Sequence, residues 1–493
     1  MYRYKDLIKN YFEKHSIVES STKSFDLFME KGIQKIVDET PDIVPTIIPS
    51  EVNEFKIKLG KVEVERPQII ESDGSRRKIY PTEARLRKLT YAAPVYLNVC
   101  AIIDGVERES FRALIGKVPV MIKSKFCNIH GMSEEKLIEH YEDPNDTGGY
   151  FILNGNERVL IIVEDLASNK FFVDKTKVGP SAYVGKVYSE KGSYRIPHSV
   201  EQMRTGSIYL SFTRFKRISI IAIIKALGLT KDEEIAKSIS GSSEYDDVFI
   251  NLYENVELKT QDDAIEFLAK KIGMAQLEDR KKRVLDMFDK YLLPHIGLTK
   301  DKRIIKAYNL CKYIKKFLMI SKGDLKQENK DHYMNKRLKL SGDLLEDLFR
   351  VNMASLIQDM LYNFQRLVKR GKFQSIRIII RDQLLSSRIK SAMATGSWIG
   401  GGKGVSQNID RTNYLSTISH LQRVVSLLSS TQENFEARAL HPTHYGRLCP
   451  IETPEGTPIG LRKNLALLTK ISEDEMVEDK VIKQLIGCGL KNG

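Results

Sequence analysis

GYFILNGNERVLIIVEDL, residues 149 to 166, reads as a strand, an Asn-Gly turn and a second strand. Its Val-Leu-Ile-Ile-Val run predicts burial on both faces, and nothing in it demands chemistry. The texture then changes near Phe171 and stays changed to about Arg337. Short strands reach Phe215, and charged helical segments such as DDAIEFLAKKIG and EDRKKRVLDMFDKYLL follow. This predicts a separately packed domain, with the lysine-rich stretch from Lys322 to Lys339, holding Gly323 and Asn329, as its way out.

Upstream, residues 1 to 40 read as two amphipathic helices, the second with Phe25, Phe28, Met29, Ile33, Ile36 and Val37 at core-facing spacing. Pro41, Pro45 and Pro49 break the chain before FKIKLGKVEVERPQI, which alternates like a half-buried strand. Asp73-Gly74 offers a hairpin turn, and TEARLRKLTYAAPVYLNV opens as a helix and becomes a strand after Pro94. Downstream, Asp343 with Glu346 predicts a capping box and Gly371 a stop. An apolar stripe from Leu345 to Leu367 lies between them.

The 493 residues suggest roughly two to four domains, and a 42% hydrophobic fraction is ample for their cores. The net charge of +14 points to a polyanionic partner. A membrane is disfavoured, because the most apolar run, ISIIAIIKALGL from Ile218, carries a lysine and falls short of the roughly 20 residues that span a bilayer. The opening MYRYKDLIKN lacks a signal-peptide core, so a cytoplasmic location is expected. Cys100, Cys127, Cys311, Cys449 and Cys488 form no CxxC pair, which fits a reducing compartment.

From Arg366 to Arg411 the basic residues Arg366, Lys369, Arg370, Lys372, Arg377, Arg381, Arg388, Lys390, Lys403 and Arg411 face only Asp382 and Asp410. Phosphate contacts are expected here, with a solvated basic face as the plain alternative. GSWIGGGKGVSQ inside this zone is not a phosphate loop, since Gly404 follows Lys403 where Ser or Thr is needed. It reads as a flexible glycine loop with one lysine. DRTNYLSTISHLQRVVSLL predicts a two-faced helix. Tyr414, Ile418, Leu421, Val425 and Leu428 face a core, and Asn413, Ser416, His420 and Arg423 share a polar stripe.

HPTHYGRLCPIETPEGTPIGLRKN, residues 441 to 464, packs Pro442, Pro450, Pro454, Pro458, Gly446, Gly456 and Gly460 around His441, His444, Arg447, Glu452, Glu455, Arg462 and Lys463. This composition forbids a long helix or an interior strand and leaves a stiff loop. His441, His444 and Cys449 form a weak zinc option, because Pro442 prevents helical display and no fourth ligand is evident nearby.

These residues carry a family resemblance. TEARLRKLTYAAPVYLNV, GYFILNGNERVLI, DHYMNKRLKLSGDLLEDLF, GVSQNIDRTNYLSTISHLQRV and the 441 to 464 loop resemble, in order, blocks of the second-largest (B, or beta) subunit of multisubunit RNA polymerases. The likeness is to its N-terminal half, in the form some archaea encode as two polypeptides. It implies an α+β multidomain fold: an N-terminal segment 1–19, a protrusion in two parts, 20–171 and 338–396, an inserted lobe 172–337, a fork 397–471 and the start of a further domain 472–493.

It also implies that Gln407, Asp410, Ser416, His420, Arg423, Arg447, Glu452, Pro454 and Glu455 line the path of nascent RNA and DNA beside the active centre. Gly400, Gly401, Gly402, Lys403 and Gly404 match a fork loop at the downstream edge of the bubble. Gln422 stands where the family commonly has arginine, and Pro458 and Arg462 depart from the bacterial pattern.

No NADFDGD-like sequence is present. The resemblance therefore implies no catalytic residue, metal or other cofactor in this chain, with Mg2+ held by other subunits of the assembled enzyme. The expected partners are the C-terminal half of the B subunit, the largest subunit, the DNA template, nascent RNA and nucleoside triphosphates. A stand-alone nucleic-acid-binding protein without a catalytic role, and a His-His-Cys zinc enzyme, are the alternatives from other classes.

Overall fold

A computed structural model describes residues 4–49, 52–176, 181–192, 194–240, 245–273, 279–371, 375–472 and 478–489. The chain forms two compact units, one from Met1–Asp165 with Leu338–Gly493 and the other from Leu166–Arg337.

In the first unit, Phe151–Leu153 and Asn156–Leu160 pair antiparallel, closed by Leu153 opposite Asn156. Asn154 at φ 51° and Gly155 at φ 80° take the left-handed conformations that a tight two-residue hairpin needs. Gly155 has a second reason to be glycine, because a Cβ there would meet the Arg85 carbonyl oxygen at 2.9 Å. The chain then bends at Ile161 and resumes as the Ile162–Leu166 strand. The apolar run is thus two strands, and Val159 through Val163 are all buried.

Each strand recruits a partner from far down the chain. Ser406–Asn408 lies antiparallel to Asn156–Leu160, with Gln407 opposite Val159. Arg423–Ser426 runs parallel to the next strand, with Val424 opposite Ile162, and on its other side pairs antiparallel with Arg462–Asn464.

Behind these strands stands a three-stranded antiparallel sheet of Phe55–Val64, Ala92–Ile103 and Val106–Pro119. The Ser341–Lys369 helix packs its apolar stripe into the same core, where Phe364 meets Phe55 at a ring separation of 4.6 Å. It begins three residues before the position expected from sequence, with Leu340 rather than Asp343 at the N-cap. Asp343 therefore sits inside the first turn and accepts the Leu340 amide at 2.9 Å, while Glu346 pairs with Arg350 at 2.8 Å. Phe25, Phe28, Met29, Ile33, Ile36 and Val37 are buried as expected, with a π-helical turn at Phe28–Gly32 between two α-helical pieces.

The second unit has a five-stranded antiparallel sheet in chain order, from Phe171–Lys175 to Phe215–Ser219, followed by helices. The run that begins at Ile218 forms the Ile220–Ala226 helix, every residue of which is buried. Its Lys225 is satisfied by Asp232 at 2.7 Å and the Asn255 carbonyl at 3.1 Å. Among the described residues no helix is long and apolar enough to cross a membrane.

Candidate nucleic-acid interface

The two-faced helix expected over 410–428 is shorter than its periodicity suggests. It spans Tyr414–Leu421, and Arg423–Ser426 is a strand. Val424 and Val425 fit a pleated surface, and that edge is filled from both sides by residues 162–164 and 462–464. Of the expected core face, Leu421 is buried but Tyr414 is 59% and Leu428 45% exposed.

The polar stripe is correspondingly divided among different tasks. Asn413 caps the helix by accepting the Ser416 amide at 2.8 Å, and the Ser416 hydroxyl accepts the Asn413 amide at 3.1 Å. His420 is buried. Its Nδ1 accepts the Asp410 amide at 3.0 Å, so the proton sits on Nε2 and is donated to Gln407 Oε1 at 3.1 Å. Gln407 Nε2 in turn donates to the Gly404 carbonyl at 2.9 Å. Burial, reinforced by Arg423, pushes the His420 pKa down to about 4 and keeps the ring neutral. Gln407, Asp410 and His420 therefore form one relay that ends on the glycine loop.

That loop is also anchored from its other side. The Trp398 amide donates to the Gly402 carbonyl at 2.8 Å, and the indole donates to the Leu344 carbonyl at 3.0 Å. Gly400, Gly401 and Gly404 have positive φ, and Lys403 is exposed. Arg158, which sequence reading passed over, fastens the adjoining strand. Its guanidinium donates to the Ser406 hydroxyl and carbonyl at 3.0 and 3.1 Å and to Asn408 at 2.8 Å.

The 441–464 loop is stiff because its polar groups bond one another. His441 pairs with the Thr443 hydroxyl at 2.7 Å, and Thr453 accepts the Gly460 amide at 2.9 Å while donating to the Arg462 carbonyl at 3.0 Å. Asn464 donates to the Ser419 carbonyl and hydroxyl at 2.8 and 2.9 Å, and the Ser419 hydroxyl donates to Glu452. Lys463 forms a buried ion pair with Glu164 at 2.8 Å, which joins the loop to the 149–166 segment. Among the described residues no set of His, Cys, Asp and Glu side chains converges as a metal site, and His441 and His444 instead shape the Pro442–His444 turn.

Arg423 stands half-buried on the strand between these parts. Desolvation and the neighbouring Arg462 lower its pKa, while Glu452 and Asp410 act in the opposite sense. Among the described residues no ion pair engages its guanidinium. Arg447 and Glu455 are exposed and Pro454 is partly so, all outside the His420 relay.

The basic zone upstream is less uniform than its composition implied. Arg411 is held by Glu157 at 2.7 Å, Arg381 by Asp359 at 3.4 Å and Arg377 by Glu109 at 3.5 Å, which removes much of their pull on phosphate. Lys369, Arg370, Arg388 and Lys403 remain exposed, and Lys372 lies outside the described residues.

A mixed α/β scaffold that presents arginines and a stiff, cross-braced loop matches one family across most of its length. The chain belongs to the RNA polymerase beta subunit family, matched over residues 16–390, and residues 407–471 match RNA polymerase Rpb2, domain 3. Individual relatives are more specific. It is 41% identical over 496 residues to DNA-directed RNA polymerase subunit Rpo2N of Methanocaldococcus jannaschii, covering 99% of each chain. It is 40% identical over 513 residues to Rpo2N of Methanothermobacter thermautotrophicus, covering 99% of this chain and 98% of that one. With subunit Rpo2 of Saccharolobus shibatae the identity is 39% over 484 residues, and the chain spans only 42% of that longer protein.

Proposed function

We propose that the chain is a part of a DNA-directed RNA polymerase that lines the DNA and RNA path beside the active centre and is catalytic only in the assembled enzyme. The observation that carries this reading is Arg423, a half-buried guanidinium with no ion pair among the described residues and a second arginine beside it. Such a group gains most from an anion that arrives from outside, and a phosphate backbone supplies one. Glu452, set against Arg423, tempers that attraction so that a strand can slide past.

On this reading residues 1–19 are an N-terminal segment, 20–171 with 338–396 the protrusion, 172–337 the lobe, 397–471 the fork and 472–493 the start of a further domain. Gln407, Asp410 and His420 shape the surface from behind, while Arg447, Pro454 and Glu455 face the strand. Gly400 to Gly404 form a loop at the edge of the bubble. The chemistry, attack of an RNA 3′-hydroxyl on the alpha-phosphate of a nucleoside triphosphate, needs metal ions and belongs to other subunits. This chain contributes positioning and charge. The test is RNA synthesis from a primed template. Activity is expected only when the chain is combined with the remaining subunits, and synthesis by the purified chain alone would overturn the proposal.

A further inference from the structure

The Asn156–Leu160 strand grips the 406–411 segment from both of its faces, with two adjacent residues. Arg158 stands opposite Asn408 in the pairing, and its guanidinium takes up Ser406 and Asn408 on that face. Glu157 points to the other face, as neighbours in a strand do. One oxygen of its carboxylate accepts Arg411 Nε at 2.7 Å and the other accepts Arg85 Nε at 2.8 Å. Its backbone carbonyl accepts the Ile409 amide at 3.1 Å. One residue therefore holds the 409–411 turn at two points.

Both arginines are fixed around a common ring. Tyr150 is wholly buried, and its centroid lies 4.8 Å from the guanidinium carbon of Arg411 and 5.9 Å from that of Arg85. The Tyr150 hydroxyl accepts Arg85 at 2.6 Å and donates to Asp146, and Glu142 accepts Arg85 at 3.1 Å. Two guanidiniums thus meet three carboxylates, which commits Arg411 to this cluster rather than to an outside anion.

What the cluster fixes is the turn before the Tyr414–Leu421 helix. Asp410 sits between the two residues that Glu157 holds, and it gives its amide to His420 while its carbonyl accepts the Thr417 hydroxyl at 2.6 Å. From His420 the bonds run through Gln407 to the Gly404 carbonyl. The hairpin itself needs none of this, because the Glu157 side chain bonds only to arginines outside it. Arg411 is moreover 42% exposed, so its ion pair adds little to global stability.

We infer that Glu157 is a positioning residue, which through Arg411 and Ile409 sets the place of Asp410 and so of the glycine loop at residues 400–404. This rests on the reading of that loop as the edge of the bubble. With the turn released the loop samples more positions, and having to order it again weakens binding of the incoming nucleotide. The chemical step, carried by other subunits, is left alone.

Single-nucleotide addition by the assembled polymerase on a primed DNA–RNA scaffold tests it, with kcat and KM read separately. Glu157→Gln should raise KM for the incoming nucleotide about fivefold, for the loss of one charge-assisted bond, with kcat within about twofold of wild type. Glu157→Asp, which keeps the charge on a shorter stem, should fall between. Arg411→Met should match Glu157→Gln, and the double variant should be no worse than either, because both changes remove one contact. Thermal midpoints should stay within about 2 °C of wild type. An unchanged KM in Glu157→Gln overturns the inference. So does a fall in kcat alone, or effects that multiply in the double variant. Arg423→Ala, assayed over a range of salt, separates the two readings. A shallower salt slope in that variant beside an unchanged KM in Glu157→Gln overturns only this inference, and an unchanged slope beside it overturns the reading of the nucleic-acid path as well.

Discussion

His420 is neutral because it is buried, bonded at both nitrogens and close to Arg423. An ordinary histidine titrates near 6.5, and this one near 4. Between those values the unfolded chain takes up a proton that the folded chain refuses, so the contribution to stability is complete above about 6.5 and declines as pH falls toward 4. His420→Gln should therefore lose less stability than the wild type between pH 7 and pH 5, as read from denaturant midpoints at the two pH values. An identical pH dependence would mean that His420 is not held neutral. Sequence periodicity found this histidine but assigned it to a polar stripe. Its burial follows from Gln407 and the Asp410 amide, which residue spacing along a helix does not reveal.

At the level of elements, the Arg462–Asn464 strand is fixed by the Lys463–Glu164 pair, both of whose side chains are almost wholly buried. Lys463→Met should destabilise the first unit by about 3–5 kcal/mol, because it strands a carboxylate in the interior. Adding Glu164→Leu should recover most of that loss in thermal or chemical unfolding. A single variant as stable as wild type would show that the pair is not buried in solution. The hairpin at Asn154-Gly155 was legible because turn chemistry is local. The partners of its strands, residues 406–408 and 423–426, were not, since such pairing joins segments hundreds of residues apart. The end of the Tyr414–Leu421 helix was hidden for another reason: Val425 and Leu428 happen to continue the helical period, and only the strand edge awaiting Val424 and Val425 decides otherwise.

For the whole molecule, charge is a guide to the partner and a poor guide to the site. The excess of +14 is spread widely, and several arginines of the 366–411 zone are already held by carboxylates. Among the described residues the guanidinium of Arg423 is half-buried with neither a carboxylate nor any other hydrogen-bond acceptor bonded to it. The motifs of the 441–464 loop announced a constrained surface, and the proposed function makes that surface a wall of the nucleic-acid path.

The most direct test is the salt dependence of an assembled elongation complex carrying Arg423→Ala. If Arg423 contacts phosphate, the slope of log stability against log salt should become shallower by about one, with weakening at every template sequence. A slope equal to that of the wild type would contradict the account.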